Sequence, residues 1–279
     1  MDAAELLKRY AAGERDFRNI DLEKISLAGA DLSHGNFRGV NLSHSNLVGT
    51  CLKLANLREA KLVGANLRGS DLQQANLIAS DLSQANLMTA NLTDSNLRSS
   101  HLSEADLRGA NLTEAILIEA SLKDTNLGRA KLLEACLWRA NLAGATLTGA
   151  ILDGANLTNA SLVKANLQGA KLSKAILNGA NLTKANLSKA DLSRANVNGA
   201  NLSQANLREA RLRGAKVNWT ILREADLSKA NLYRAKLCWS NLSEVILEEA
   251  VLIDANLDKV NLRDANLRGA IMPDGITHE

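Results

Sequence analysis

Ala165-Asn166-Leu167-Gln168-Gly169 is one turn of a five-residue pattern that runs without insertion or deletion from Phe17 to Met272. Every residue number ending in 2 or 7 in that interval is a centre. There are 52 centres, 47 of them Leu, the exceptions being Phe17, Phe37, Val197, Val217 and Met272. Two residues before the centre the chain carries a small residue, as at Ala165, Ala170 and Ala175, with Ser70 and Thr125 as variants. The residue just before the centre is Asn or Asp in 32 of the 52 units. Fourteen of the 18 Gly fall two residues after the centre, where a corner needs unusual dihedral angles.

A period of five excludes the two ordinary elements. On an α-helix successive Leu drift by about 140° and form no stripe. On a flat strand an odd period sends alternate Leu to opposite faces. A short extended piece works, with the small residue and the Leu both inward and a bend made by the two residues that follow. Corners of about 90° close a square coil in four units, or about 20 residues, and each coil stacks on the next through parallel backbone hydrogen bonds.

This A-(N/D)-L-x-x pattern resembles the pentapeptide-repeat family, over roughly residues 15 to 273. The start of the chain, Glu5-Leu6-Leu7 and then Ala11 to Phe17, is similar to bacterial members and to cyanobacterial ones especially. The resemblance implies an all-β fold, a right-handed quadrilateral parallel β-helix. A leucine-rich repeat needs a longer, uneven Leu spacing and fits worse. Fifty-two units in fours predict about 13 coils, a stack of roughly 60 Å at the usual strand spacing. Residues 1–13 read as a short capping helix, 14–273 as the β-helix and 274–279 as a tail. In the helix, Asp2 is the expected cap, Glu5 follows at capping-box spacing, and Leu6, Leu7 and Tyr10 are expected on one side. After Met272, Pro273 cannot donate to a further ladder, so the tail is expected to fold over the last coil, with Ile276 covering Leu.

Composition narrows the function. Hydrophobic content is 46% with only 3% aromatic residues, so the core is aliphatic. Thirty-three Lys and Arg against 30 Asp and Glu give a net charge of +3, which argues against nucleic acid as a partner. The amino terminus has no long apolar run, so neither a secretory signal nor a membrane span is expected and the cytoplasm is the default compartment. Cys51, Cys136 and Cys238 are widely spaced and lie outside any C-x-x-C motif, suggesting neither a disulfide framework nor zinc. No catalytic, cofactor-binding or metal-binding constellation emerges, and no enzyme is expected.

Residues 20 apart are expected to stack, which sorts the side chains by face. One face carries Trp138, Trp219 and Trp239 with Ile116, Ile118, Lys216 and Lys236. It is a candidate interaction face, since Trp is favoured at protein interfaces. A second face is polarised. Asp71, Asp94, Glu114, Glu134 and Asp153 oppose only Lys131 early in the chain, whereas Lys171, Lys174, Arg194, Arg211, Arg213 and Arg234 oppose only Asp191 later. The later block is a candidate basic patch. Asn46, Asn66 and Asn86 are expected to stack as a structural amide ladder.

These readings favour a non-enzymatic scaffold or protein-protein interaction module with an unidentified protein partner and no membrane. It would be a monomer or a weak end-to-end dimer. The resemblance also raises DNA mimicry toward gyrase, as in some family members. The positive net charge, the two Phe centres and the absence of loops disfavour it.

Overall fold

The computed structural model describes residues 1–279. They form two compact units, Met1–Asn141 and Leu142–Glu279, built by the same rules. Each unit is a right-handed quadrilateral parallel β-helix. The residue before each Leu forms a parallel bridge to the residue 20 positions on, as in Asp71↔Asn91 in the first unit and Asn166↔Asn186 in the second.

Three backbone bonds per repeat hold one coil on the next. Around Leu72, the Leu72 N–H donates to Asn91 O at 2.7 Å and the Gln74 N–H donates to Thr93 O at 2.9 Å. In the other direction the Asn91 N–H donates to Ser70 O at 2.9 Å. The corner itself closes where the Ala75 N–H donates to Leu72 O at 3.0 Å. Gln74, third in that turn, has φ of 57°. A 1→4 bond with left-handed backbone only at the third residue is the type II arrangement.

The glycine phase read from the sequence therefore marks the corner. Yet all 51 such positions from Asn19 to Gly269 are left-handed, and 37 of them are not glycine. A side chain in that region costs about 1–2 kcal/mol. The cost is tolerated because the corner N–H is satisfied by the next coil and the side chain points outward. At Gly169, φ is 64° and an added Cβ would meet nothing within 4 Å, so only the backbone term would change.

Inside, the Leu centres and the small residues are almost completely buried. Each buried Leu contributes about 1.5–3 kcal/mol relative to exposure. Where Ser or Thr replaces Ala in this layer, its hydroxyl is satisfied by the backbone. Ser70 Oγ donates to Leu67 O at 2.7 Å, and Thr50 Oγ1 reaches Leu27 O in the preceding coil at 2.8 Å. A buried hydroxyl left without a partner would cost about 1–3 kcal/mol.

Helix α1 spans Ala3–Ala11 and covers the first layer of its unit. Asp2 caps it, its carboxylate accepting the Glu5 N–H at 2.8 Å. Leu6 and Tyr10 are buried, but Leu7 is exposed, contrary to the expected three-residue face. Residues four apart share a helix face, whereas a neighbour is rotated by a quarter turn or more. Tyr10 stacks with Phe17 and Phe37 at 5.7 and 6.3 Å between centroids, and its hydroxyl donates to Ser33 O at 2.6 Å. The two Phe centres thus serve the cap. Gly35, in the small-residue layer, exists for the same reason: a Cβ there would lie 2.3 Å from Phe37 Cε2.

The tail turns back on itself. Ile271 pairs antiparallel with Thr277, and the His278 N–H donates to Ala270 O at 2.8 Å. Ile276 is 66% exposed and does not cover a Leu. The hairpin bonds along one side only, so Leu257, Leu262 and Leu267 stay half-exposed.

The Asn rows also differ from expectation. No amide bond links Asn46, Asn66 and Asn86. Each carboxamide oxygen instead accepts the backbone N–H two residues on, at 3.1–3.3 Å. This local bond props the corner, and it coexists with a lateral amide bond at Asn166, whose Oδ1 accepts from both the Gln168 N–H and Asn186 Nδ2. Lateral amide bonds occur elsewhere, as from Asn56 Nδ2 to Asn36 Oδ1 at 3.0 Å.

Two substitutions separate the terms. Gly169→Ala should cost about 1 kcal/mol in urea unfolding through backbone strain alone. Gly35→Ala should open the cap selectively, raising hydrogen exchange in α1 before the coils respond.

Candidate functional site

An outward position in this fold is shared with the residues 20 before and 20 after it. Trp219 and Trp239 occupy consecutive left-handed corners, with φ of 59° and 61°. Their rings stack face to face, 5.0 Å between centroids and 6° between planes. That separation is essentially the strand spacing, so the backbone imposes the stack. Both indoles remain open to solvent, Trp219 at 62% and Trp239 at 47%.

Lys216 and Lys236 stack as expected, forming a parallel bridge. The cation that meets the indoles, however, is Lys259, whose Nζ lies 4.0 Å from the Trp239 centroid. Such a contact contributes about 0.5–1 kcal/mol at an exposed site. Counting 20 on from Trp239 was the signal that locates Lys259. On the opposite side of the stack, 20 residues before Trp219, stands Gly199, where an added Cβ would meet nothing within 4 Å. The stack is therefore covered by a cation at one end and uncovered at the other. Ile221, two residues after Trp219, is also exposed.

Trp138, Ile116 and Ile118 belong to the first unit. Trp138 lies one residue after its Leu rather than two, is half-buried, and packs against Arg139 at 4.2 Å. Ile116 is exposed and Ile118 half-buried. The structure gives these residues no indole stack of their own.

The basic patch lies in the second unit and divides into two shallow clefts of about 350 Å³ each. The first is lined by Lys171, Lys189 and Arg211 together with Asp191 and Glu209. Asp191 stands between Lys171 and Arg211 in the backbone ladder, and Lys189 pairs with Glu209 at 3.8 Å. Its charges are interleaved and largely balanced. The second cleft is lined by Ser173, Lys174, Ser193, Arg194 and Arg213, with no carboxylate. Arg213 lies over the Tyr233 ring at 5.2 Å. Arg234, above the same ring, is paired with Asp254 at 3.1 Å. The sequence reading missed Tyr233, although it follows Arg213 by one coil. The early acidic block carries fewer free charges than its sequence implies, since Lys53 pairs with Asp71 at 3.2 Å.

Cys51, Cys136 and Cys238 are free and half-buried. No helix is long and apolar enough to cross a membrane.

The coil geometry and its corner turns define a repeat protein of the quadrilateral β-helix class. The sequence matches Pentapeptide repeats in eight copies, at residues 16–53, 50–88, 90–129, 125–162, 140–179, 160–199, 190–228 and 230–269. The chain belongs to the pentapeptide-repeat family. Among solved structures it is similar to HetL, a pentapeptide repeat protein involved in heterocyst differentiation regulation from the cyanobacterium Nostoc sp. strain PCC 7120. That similarity is 33% identity over 100% of both chains with a TM-score of 0.32. QnrB1, a plasmid-mediated fluoroquinolone resistance protein, is 20% identical over 64% of this chain and 85% of its own, with a TM-score of 0.34. A pentapeptide repeat protein from the Arabidopsis thaliana thylakoid lumen is 31% identical over 38% of this chain and 71% of its own, with a TM-score of 0.21. No curated protein sequence matches the chain.

The Trp stack carries a spectroscopic signature. Two indoles stacked this closely in parallel planes should show hypochromic ultraviolet absorption. Trp239→Leu should abolish it while leaving the unfolding midpoint nearly unchanged, because the side chain it removes is exposed.

Proposed function

We propose that the protein is a non-enzymatic interaction module whose contact surface is centred on Trp219 and Trp239. The observation that carries this reading is the pair of exposed, stacked indoles. The coils impose their spacing, and neither ring is needed to fill the core. Large apolar side chains held rigidly in water gain most when a partner covers them, and Trp is enriched among residues that dominate binding energy. The uncovered side of Trp219 above Gly199 is suited to an aromatic or aliphatic side chain of a protein partner. HetL supports a regulatory role for such a surface, since it is involved in regulating heterocyst differentiation. The cytoplasm remains the proposed compartment. Gyrase binding finds no support in the charge of this chain, and the likeness to QnrB1 is too distant to carry it.

The half-exposed Leu257, Leu262 and Leu267 offer a second, weaker contact. They are suited to a low-affinity pairing of two copies end to end.

The test of the main reading is affinity capture from a host extract with the wild-type chain beside a Trp219→Ser/Trp239→Ser variant shown by its unfolding midpoint to be folded. The double substitution should lose the specific partner. An identical set of captured proteins would overturn the proposal. For the end contact, sedimentation velocity should show a reversible dimer at high concentration that Leu262→Asp removes.

A further inference from the structure

The second cleft of the basic patch differs chemically from the cleft beside it. Lys174, Arg194 and Arg213 line it, and none of the three takes part in an ion pair, although ion pairs are common on the neighbouring surface. Ser173 and Ser193 line the same cleft. The nearest carboxylates along the chain are already engaged. Asp153 Oδ1 accepts the Ser173 N–H at 2.8 Å, and Asp191 Oδ1 accepts the Ser193 N–H at 2.9 Å. Neither lines the cleft.

The cations are also held in place. Lys174 and Arg194 are consecutive corners 20 residues apart, so the helix sets their separation. Gly214 follows Arg194 by one coil, and a Cβ there would stand 3.7 Å from the Arg194 Cγ, so the Arg194 side chain lies against the next corner. Tyr233 supports Arg213 from the next coil. The corner N–H groups are spent on the ladder, Lys174 N–H to Ser193 O at 3.0 Å and Arg194 N–H to Arg213 O at 2.9 Å. An anion here would be held by side chains alone.

We propose that Ser173, Lys174, Ser193, Arg194 and Arg213 form an oxyanion site that takes one phosphoryl group, presented by a phosphorylated side chain of a protein partner. Two guanidinium groups, an ammonium and two hydroxyls supply the donors that a tetrahedral dianion accepts, and arginine forks match its oxygens in pairs. A single group fits better than a nucleic-acid strand. The adjoining cleft places Asp191 and Glu209 among its cations, which interrupts the positive surface a continuous polyanion would track. The choice of a protein as carrier rests on the interaction reading above, whereas the anion site does not.

The test titrates the full-length protein with inorganic phosphate at constant ionic strength, read by amide chemical shifts, with chloride as reference. Saturable shifts confined to Ser173, Lys174, Ser193, Arg194 and Arg213 are expected. Arg194→Gln/Arg213→Gln should weaken binding by about tenfold or more, the value of one lost charge-assisted bond. Lys171→Gln/Arg211→Gln, in the balanced cleft, should leave it unchanged. Non-saturating shifts equal to those in chloride, or equal weakening by both pairs, would overturn the site. Circular dichroism establishes that each variant is folded.

A second arm addresses the carrier. A peptide with a central phosphoserine should bind more tightly than inorganic phosphate, and its unphosphorylated form should not bind. If oligo(dT) binds more tightly than the phosphopeptide and loses affinity steeply with salt, the protein carrier is wrong while the anion site stands. Failure of the Trp219/Trp239 test would leave the phosphate titration untouched, so the two readings fail separately.

Discussion

Each coil depends on a corner residue that turns left-handed and still donates its N–H to the coil above. Gln74 shows the coupling: φ of 57° and a bond to Thr93 O at 2.9 Å belong to the same residue. Without the corner the chain would run straight, and without the bond the corner would only be strained. The repeat satisfies nearly every backbone group by this one device, which is what lets an interior of aliphatic and small side chains, aromatic only at the first coils, hold together. Glycine is favoured there but not required, because the inter-coil bonds and the buried Leu layer offset a modest dihedral cost many times over.

The same device governs the surface. Side chains inside each unit are confined to Leu and Ala-sized residues, so chemistry is left to the three outward positions of each repeat. Those positions are not independent. A residue is always next to the ones 20 before and after it, at the strand spacing, and so pairs of like residues become stacks. Trp219, Trp239 and Lys259 form one such stack. Lys174 and Arg194 form another, on a different side of the repeat, with Arg213 and Tyr233 beside it. Both are built without any loop, by substitutions that leave the core untouched. A protein of this kind acquires binding surfaces by changing single residues rather than by reshaping its fold.

The ends obey different rules because the stacking partner is missing on one side. At the start, α1 supplies Leu6 and Tyr10 in place of a preceding coil, and Phe17, Phe37 and Gly35 adapt the first layers to that aromatic plug. At the other end the hairpin formed by Ile271 and Thr277 pairs the backbone along one side but brings no apolar side chain over Leu257, Leu262 and Leu267. The covered end and the open end differ in what they can do, and the open one is the surface suited to self-association.

The period of five by itself determined the coil, the inward layer, the corner position and the family. A strictly repeated spacing admits only one backbone path that keeps all Leu inside. It also located the stacked Trp pair, since stacking follows from counting by 20. What only the tertiary structure decided is how side chains that share a neighbourhood divide their contacts. The oxygens of Asn46, Asn66 and Asn86 accept the N–H two residues on without a lateral amide bond between them, whereas Asn166 makes both bonds. Lys259 rather than Lys216 or Lys236 met the indoles, because a corner residue reaches up its own stack and not across the face. The basic patch separated into a balanced cleft and an uncompensated one, because Asp191 lies between Lys171 and Arg211 while no carboxylate lines the cleft of Lys174, Arg194 and Arg213. Which charge is neutralised depends on side-chain distances of a few ångströms, and these no one-dimensional spacing contains.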